Sequence, residues 1–165
     1  GLMHFVNNYR NLTKIPRPVF QIIEIKKLFG RIETLMRKEV EEKGIVFCCS
    51  VVPLSLEITA DADLIEQVLI NLIINSRQAL EGKKKKKINL LASLDDKGKI
   101  LIQVSDNGAG IPEDIQEKIF IPFFSTKKNG SGIGLSLSRQ IIRAHGGTIR
   151  VNSVPGKETV FSLRL

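Results

Sequence analysis

Residues 61–80 read DADLIEQVLINLIINSRQAL, and this stretch decides the fold because it combines a nearly continuous apolar helix with a regular row of amides. Asp61 or Asp63 is suited to cap the helix, since a short acidic side chain can accept a hydrogen bond from a free backbone N–H group. Apolar residues cover most of the circumference, which predicts a buried helix. One narrow seam of carboxamides nevertheless recurs at helical spacing: Gln67, Asn71, Asn75 and Gln78.

This carboxamide seam has two interpretations. Buried carboxamides cost free energy unless a partner satisfies them, so the seam either bonds to neighbouring loops and water or faces a polar ligand. An amide oxygen is a neutral, hard donor suited to Mg²⁺, which usually keeps water and substrate phosphates as its other ligands. From the helix alone, both interpretations stay open.

The rest of the chain predicts strands and helices in mixed order. An amphipathic helix is expected over 26–43, with Gly44 as its stop and one apolar face: Leu28, Ile32, Leu35, Met36 and Val40. Strands are expected at 19–25, 45–52, 56–59, 88–94, 100–104, 148–153 and 159–165, and a last helix at 134–144. Because tight turns join many neighbouring strands, we predict an α+β fold: a two-layer α/β sandwich whose mostly antiparallel mixed sheet is covered on one face by about three helices.

Composition narrows the classes of protein. The 165 residues carry a net charge of +8, and five of the lysines form the continuous run 83–87. No aromatic residues interleave with this run to stack on bases, which argues against nucleic acid. No stretch approaches the roughly 18 apolar residues of a membrane span. The adjacent Cys48 and Cys49 fit a reducing compartment, so we expect a cytoplasmic domain without membrane contact, whose parent protein can still be anchored in the inner membrane.

A second motif, SDNGAGIP at 105–112, follows a predicted strand directly. The carboxylate of Asp106 can accept a hydrogen bond from an exocyclic amine such as adenine N6. Gly108 and Gly110 remove side chains where a flat ring would approach the backbone. The alternative is an ordinary β-turn, since Asn-Gly is common in turns.

A third motif, GSGIGL at 130–135, opens the last predicted helix. Backbone N–H groups at a glycine-rich helix start can cradle phosphate, and the helix dipole favours the anion. A dinucleotide-binding loop is the rival interpretation, but it must follow a strand, whereas the polar STKKN at 125–129 precedes this motif. A P-loop is also excluded, because no lysine stands in the required position.

Between these motifs lies FIPFFSTK at 120–127, which places three phenylalanines in a predicted loop. These rings can belong to the core, or they can anchor a lid that closes over a ligand. If the segment is a lid, Lys127 can reach a phosphate as a point charge.

Together, these motifs resemble the ATP-binding boxes of the superfamily that contains histidine kinases, DNA gyrase and heat-shock chaperone ATPases. The matching segments follow in the family's order: NLIINS (71–76) as N box, DNGAG (106–110) as first glycine box, FIPFF (120–124) as F box and GSGIG (130–134) as second glycine box. The F box and AHGG at 144–147 point to the histidine kinases. FFSTK at 123–127 is most similar to the nitrogen-regulation type of sensor kinase.

The resemblance implies a Bergerat fold with a long ATP lid, with ATP and Mg²⁺ as cofactors. It implies that Asp106 recognises adenine and that Asn75 holds the metal, with Asn71, Asn75 and Lys127 in the catalytic role. The implied nucleotide-binding set is Asn71, Asn75, Gln78, Asp106, Gly108, Gly110, Ile111, Phe120, Thr126, Lys127, Gly130, Ser131, Gly132, Ile133, Gly134 and Leu135. Many kinases carry a basic residue at the position of Gln78, so Arg77 and Lys127 are candidates for neutralising the phosphates.

The resemblance also implies a reaction. Hydrolases of the superfamily have a water-activating glutamate where this chain has Asn71, which favours transfer of the γ-phosphoryl group to a histidine on a helical hairpin. Residues 1–18 then resemble the tail of the dimerisation and phosphoacceptor hairpin with its linker, and 19–165 the catalytic domain. The implied partners are this hairpin and the receiver domain of a response regulator, within a homodimeric kinase.

The implied reaction comes with one expectation for this chain alone and with two alternative functions. Neither His4 nor His145 lies in an acceptor-like segment, so we expect the chain alone not to phosphorylate itself. An ATP hydrolase of the same superfamily is one alternative. A nucleotide-sensing or protein-binding module without transfer activity is the other.

Overall fold

The computed structural model describes residues 15–125 and 134–165, which form ten helices and strands. These elements follow the alternating and helical apolar patterns of the sequence. In chain order they are β1 (Gln21–Glu24), α1 (Ile25–Glu42), β2 (Ile45–Val51), β3 (Glu57–Ala60), α2 (Ala62–Ala79), β4 (Lys86–Leu94), β5 (Ile100–Asp106), α3 (Gly134–Ala144), β6 (Thr148–Val154) and β7 (Glu158–Arg164). Two short 3₁₀ turns, Glu113–Ile115 and Lys118–Phe120, lie between β5 and α3.

The main sheet has five strands in the order β2-β4-β5-β7-β6. Only the β2–β4 pair is parallel, and the other three pairs are antiparallel. A separate antiparallel pair joins β1 to β3. The prediction of a mostly antiparallel mixed sheet is therefore confirmed.

The core lies between one face of this sheet and the three described helices. In β4, Ile88, Leu90 and Ala92 are fully buried and alternate with more exposed neighbours, as expected when a sheet is covered on one face. The buried side of α2 packs over the centre with Leu72 and Ile73. Burial of each large aliphatic side chain contributes about 1.5–3 kcal/mol relative to exposure. The predicted two-layer sandwich, with its helices on one face, is confirmed.

Helix α1 is amphipathic as predicted, but its apolar face was placed slightly wrongly. The buried residues are Ile25, Leu28, Phe29, Ile32, Met36 and Val40. Leu35, expected on this face, is 51% exposed, because it lies at the border of the buried arc where no element covers it. The helix ends before Gly44, whose φ of +73° is the left-handed conformation expected after a helix C-terminus.

At the start of helix α2, hydrogen bonds around Asp61 join three parts of the chain. Asp61 is the cap: its carboxylate accepts hydrogen bonds from the N–H groups of Leu64 (3.1 Å) and Val19 (2.9 Å). The Asp61 N–H donates to Nε2 of His145 at 3.1 Å, while Nδ1 of that ring donates to the carbonyl of Ile141 at 2.7 Å. These bonds therefore connect Val19, which precedes β1, to the start of α2 and to the end of α3.

Substitution of Asp61 by alanine is expected to cost about 1–2 kcal/mol of stability near pH 7, because a helix cap is lost. The Val19 N–H group holds the pKa of the Asp61 carboxyl below its ordinary value, and partial burial opposes this shift. A lowered folded-state pKa stabilises the protein above the unfolded pKa, and this contribution is lost as the pH falls through the folded pKa. The difference between wild type and variant should therefore shrink below about pH 4.

Urea unfolding at pH 7 and pH 3 measures this effect. Asp63→Ala is the control, because Asp63 is an exposed acid in the same first helical turn that does not cap the helix. Equal losses in the two variants, or a pH-independent loss in Asp61→Ala, would contradict the assignment.

Candidate functional site

The two asparagines of the carboxamide seam lie half-buried in α2, whereas Gln67 and Gln78 at its ends are exposed. Nδ2 of Asn71 donates to the hydroxyl of Ser138 in α3 at 3.3 Å. A Cβ atom built on Gly134 would lie 2.5 Å from Oδ1 of Asn71, which is closer than real contacts allow. The first turn of α3 therefore approaches the Asn71 side chain closely, and a larger residue at Gly134 would require that side chain to shift.

Asp106 is the last residue of β5 and is only 5% exposed. Its Oδ1 accepts a hydrogen bond from the Gly108 N–H at 2.9 Å. The loop then turns onto the end of α2, where the Ala109 N–H donates to the Ala79 carbonyl at 3.1 Å. A Cβ on Gly108 would meet that same carbonyl oxygen at 2.6 Å.

Both glycine-containing segments thus rest on one helix. Gly134 contacts α2 at Asn71 and Gly108 contacts it at Ala79, roughly 12 Å apart along the axis at the usual helical rise. Asn75 lies between these two points in the sequence of the helix. The structure therefore sets the start of α3 and the loop that follows Asp106 against the same helix, on either side of Asn75 along its length.

Ala109 and Ile111 are held from the other side by the β6–β7 hairpin. The Gly156 N–H donates to the Ala109 carbonyl at 2.6 Å, and the Ile111 N–H donates to the hydroxyl of Ser153 at 2.8 Å. The 106–111 loop is therefore clamped between α2 and this hairpin, which is more constraint than a simple β-turn needs.

Two buried hydroxyl groups, on the helix and the strand that flank this loop, were missed by sequence reasoning. Ser76 is 1% exposed, and among the described residues no hydrogen-bond partner reaches its Oγ. Thr159 pairs with Asp106 across β5 and β7 and is 3% exposed. A signal for Ser76 did exist, because it interrupts the apolar row of Leu72 and Leu80. A buried hydroxyl without a partner is costly, so Ser76 suits a bound polar ligand or water.

Phe120 is a core residue, in line with one of the two interpretations of the phenylalanine loop. It is 6% exposed, and its ring stands perpendicular to that of Phe161 with centroids 6.3 Å apart. The Arg139 guanidinium of α3 lies 5.5 Å from the Phe120 centroid, and burial lowers the pKa of that arginine. Phe123, in contrast, is 45% exposed.

Three groups of predicted site residues have no test in the described fold. Leu135 is half-buried against the core. Arg77, a candidate for neutralising the phosphates, forms an ion pair with Glu39 of α1. The remaining predicted phosphate contacts lie outside the described residues: Thr126, Lys127, Gly130, Ser131, Gly132 and Ile133.

A groove of about 390 Å³ runs between α2 and α3. Asp63 and Glu66 lie in its wall together with an apolar strip that includes Ile70, and Asn71 and Gly134 also line it. Asp106 is not among its lining residues, so this cavity reaches the asparagine seam but not the buried acid. A larger depression of about 760 Å³ follows the outer face of α1 and contains none of the predicted site residues.

Two classes of feature are absent from the described parts of the chain. Residues 15–125 and 134–165 contain no cluster of three or more His, Cys, Asp or Glu side chains that could hold a metal ion. None of the described helices combines the length and the apolarity needed to cross a bilayer.

Residues 60–165 match the family described as histidine kinase-, DNA gyrase B- and HSP90-like ATPase. The chain is 47% identical over 108 residues to the signal transduction histidine-protein kinase AtoS of Escherichia coli, an overlap that covers 66% of this chain and 17% of AtoS. It is 31% identical over 164 residues to the histidine kinase/phosphatase NtrB of Vibrio alginolyticus, covering 94% and 43% of the two chains. The chain therefore spans less than half the length of these curated relatives.

Solved structures agree with the fold. The catalytic domain of the histidine kinase ThkA superimposes with a TM-score of 0.80 at 34% identity, covering 89% of this chain and 95% of that domain. ThkA in complex with the response regulator protein TrrA gives a TM-score of 0.75 at 30% identity, covering 99% and 47% of the two chains. The described fold is thus that of a histidine kinase catalytic domain.

Proposed function

Because the chain belongs to the histidine kinase-, DNA gyrase B- and HSP90-like ATPase family, we propose that α2, the 106–111 loop and the start of α3 form an ATP site that serves a protein histidine kinase. One observation carries the proposal: two glycine segments that are distant in sequence both abut the asparagine-bearing helix, Gly134 at Asn71 and Gly108 at Ala79. These contacts bring the segments that match the two glycine boxes against the helix that carries Asn71 and Asn75, as a site shared by a base and its phosphates requires.

The adenine end of the proposed site is the buried surroundings of Asp106. A carboxylate oxygen can accept more than one hydrogen bond, so Asp106 can hold the Gly108 N–H and the exocyclic amine of adenine together. Among the described residues no partner reaches the buried hydroxyl of Ser76 on α2, and a ligand or its bound water would satisfy it. Thr159 on β7 lies opposite Asp106 in the sheet register and brings a hydroxyl-bearing residue next to the acid.

The phosphate end is assigned to Asn71, Asn75 and the segment from Thr126 to Leu135. Gly130, Gly132 and Gly134 shape the backbone near the phosphates, and Lys127 supplies a cation. Asn75 would hold Mg²⁺, which when bound neutralises the phosphate charge and takes its other ligands from phosphate and water. Asn71 orients the neighbouring turn of α3 through Ser138.

The proposed reaction is transfer of the γ-phosphoryl group to a histidine on a helical hairpin. Residues 1–18 are assigned to the tail of that hairpin and its linker, and 19–165 to the catalytic domain. The groove between α2 and α3 offers an approach for a helix, because apolar side chains such as Ile70, Ile74 and Leu137 line it beside Asn71 and Gly134. A response regulator is the proposed next acceptor, as ThkA was solved with one, within a homodimeric kinase whose catalytic domain faces the cytoplasm.

Supplying the parental hairpin in trans with γ-labelled ATP tests the transfer. We expect acid-labile label on the hairpin and none on this chain alone. Steady release of phosphate over many turnovers without the hairpin would favour the ATP hydrolase instead. Nucleotide binding with neither transfer nor hydrolysis would leave the nucleotide-sensing module.

Substitution of Asn75 by alanine is expected to weaken ATP binding about tenfold when Mg²⁺ is present, by loss of one metal ligand, and to change it little in EDTA. Calorimetric titration under both conditions measures the difference. Gln67→Ala is the control, because Gln67 is an exposed amide two helical turns earlier on the same seam. A loss of equal size with and without metal would remove Asn75 from the metal site.

A further inference from the structure

Asn107 stands between the buried Asp106 and Gly108, and its side chain bridges to the neighbouring strand. Its Oδ1 accepts from the Lys87 N–H at 2.8 Å, and its Nδ2 donates to the Lys85 carbonyl at 3.0 Å. Its backbone N–H also points to the Lys87 carbonyl at 3.4 Å. One planar amide therefore satisfies a donor and an acceptor of the chain that enters β4.

These bonds begin where the sheet ends. The β4–β5 register closes at the pair Ile88 and Asp106, so Asn107 is the first residue beyond the ladder. Its side chain continues the cross-strand connection by one more step, beside the long backbone bond from its own N–H group to the Lys87 carbonyl. The amide suits this task because it offers both a donor and an acceptor, whereas a carboxylate could only accept.

The other restraints on the loop act farther along it. Ala109 is tied to Ala79 and to Gly156 through backbone bonds. Asn107 thus provides the side-chain restraint next to Asp106, on the side of β4. Lys87, which the bridge reaches, is itself paired with Val46 of β2, so the bridge anchors the loop to a strand that is held on its other side.

From this geometry we infer that Asn107 is a positioning residue for the carboxylate of Asp106 and, through it, for recognition of the adenine base. This inference rests on the proposed function. Without the bridge, the backbone after Asp106 can turn away from β4, and the Gly108 N–H that bonds Oδ1 of Asp106 turns with it. Adenine recognition then weakens although Asn107 does not touch the base.

The test compares Asn107→Ala with Asp95→Ala. Asp95 forms a similar bridge at the opposite end of the β4–β5 hairpin, where its Oδ1 accepts from the Lys97 and Lys99 N–H groups at 2.9 Å each. We expect both variants to lower the Tm by a similar few degrees. Only Asn107→Ala should weaken ATP binding, by about tenfold, and reduce the preference for ATP over GTP, as expected when a charge-assisted hydrogen bond loses its geometry.

Two results would overturn the inference: an unchanged affinity of Asn107→Ala for ATP, or an equal loss in Asp95→Ala. Failure of the proposed function is recognised separately, because the wild-type chain would then bind no adenine nucleotide. In that case amide hydrogen exchange tests whether Asn107 positions the backbone next to Asp106. The Gly108 N–H should exchange at least several-fold faster in Asn107→Ala but not in Asp95→Ala, and unchanged exchange would refute the role of Asn107.

Discussion

Substitution of Asp106 by asparagine is expected to weaken ATP binding by about 10- to 100-fold, since a hydrogen bond to a charged group is worth about 1.5–3 kcal/mol. The asparagine oxygen can still accept from the Gly108 N–H, so the loop should keep its shape. The new NH₂ group would face the exocyclic amine of adenine, donor against donor. Because Asp106 is only 5% exposed, water cannot relieve this mismatch.

Calorimetry with ATP and GTP measures the effect, and the melting temperature checks that the variant is folded. Asp114→Asn is the control, because Asp114 is an exposed acid a few residues farther along the same connection. Loss for ATP alone supports adenine recognition by Asp106. Unchanged ATP affinity, or an equal loss in Asp114→Asn, would remove Asp106 from that role.

Local patterns predicted the elements well because each pattern states which side of an element is buried. The apolar circumference of α2 and the alternation in β4 and β5 both reported the same covered sheet face. Leu35, which was predicted on the buried face of α1 but is exposed, shows the limit of predicting burial from periodicity. A helical period gives the direction of the buried arc, but its width depends on which neighbours cover the helix.

Strand partners were not predictable in the same way. The parallel pairing of β2 with β4 passes over β3 and α2 in sequence, and parallel strands require such a crossover. No residue within Ile45–Val51 specifies that partner. The order of strands therefore follows from the global packing of the sheet rather than from any single segment.

The same distinction between local patterns and contacts with distant segments applies to the residues of the candidate site. The residues chosen from motifs, such as Asp106 and Gly134, stand where unusual residue types occur in the sequence. The role of Asn107 depends instead on its contacts with β4, and that of Ser76 on its burial by other segments. The ion pair of Arg77 with Glu39 was not predictable for the same reason, because Glu39 belongs to a different helix.

Gly110 offers the strongest test of how tightly the first glycine loop is built. Its φ of +74° lies in the left-handed region, as does the φ of +78° of Gly98 in the β4–β5 turn. A Cβ on Gly98 would meet nothing within 4 Å, whereas one on Gly110 would lie 2.6 Å from the carbonyl oxygen of Val154 and 2.8 Å from Cα of Pro155. The two glycines thus share the conformational requirement, and only Gly110 adds a clash.

We expect Gly98→Ala to cost about 1 kcal/mol, from left-handed strain alone. Gly110→Ala should cost about 3 kcal/mol or more, because the clashing atoms are backbone and overpacking adds about 1–3 kcal/mol. For a chain of this size the Tm should fall by about 2–4 °C in the first variant and about 6–12 °C in the second. Thermal unfolding followed by circular dichroism measures both.

The clash should also reach the proposed adenine site, because the strained loop begins at Asp106. If the β6–β7 turn moves to admit the new methyl group, the Gly156 bond to Ala109 is lost and the loop shifts against α2. ATP affinity should then fall at least tenfold in Gly110→Ala and stay unchanged in Gly98→Ala. Equal stability of the two variants would mean that the turn yields freely, and the loop would not be the rigid frame that recognition of a flat base requires.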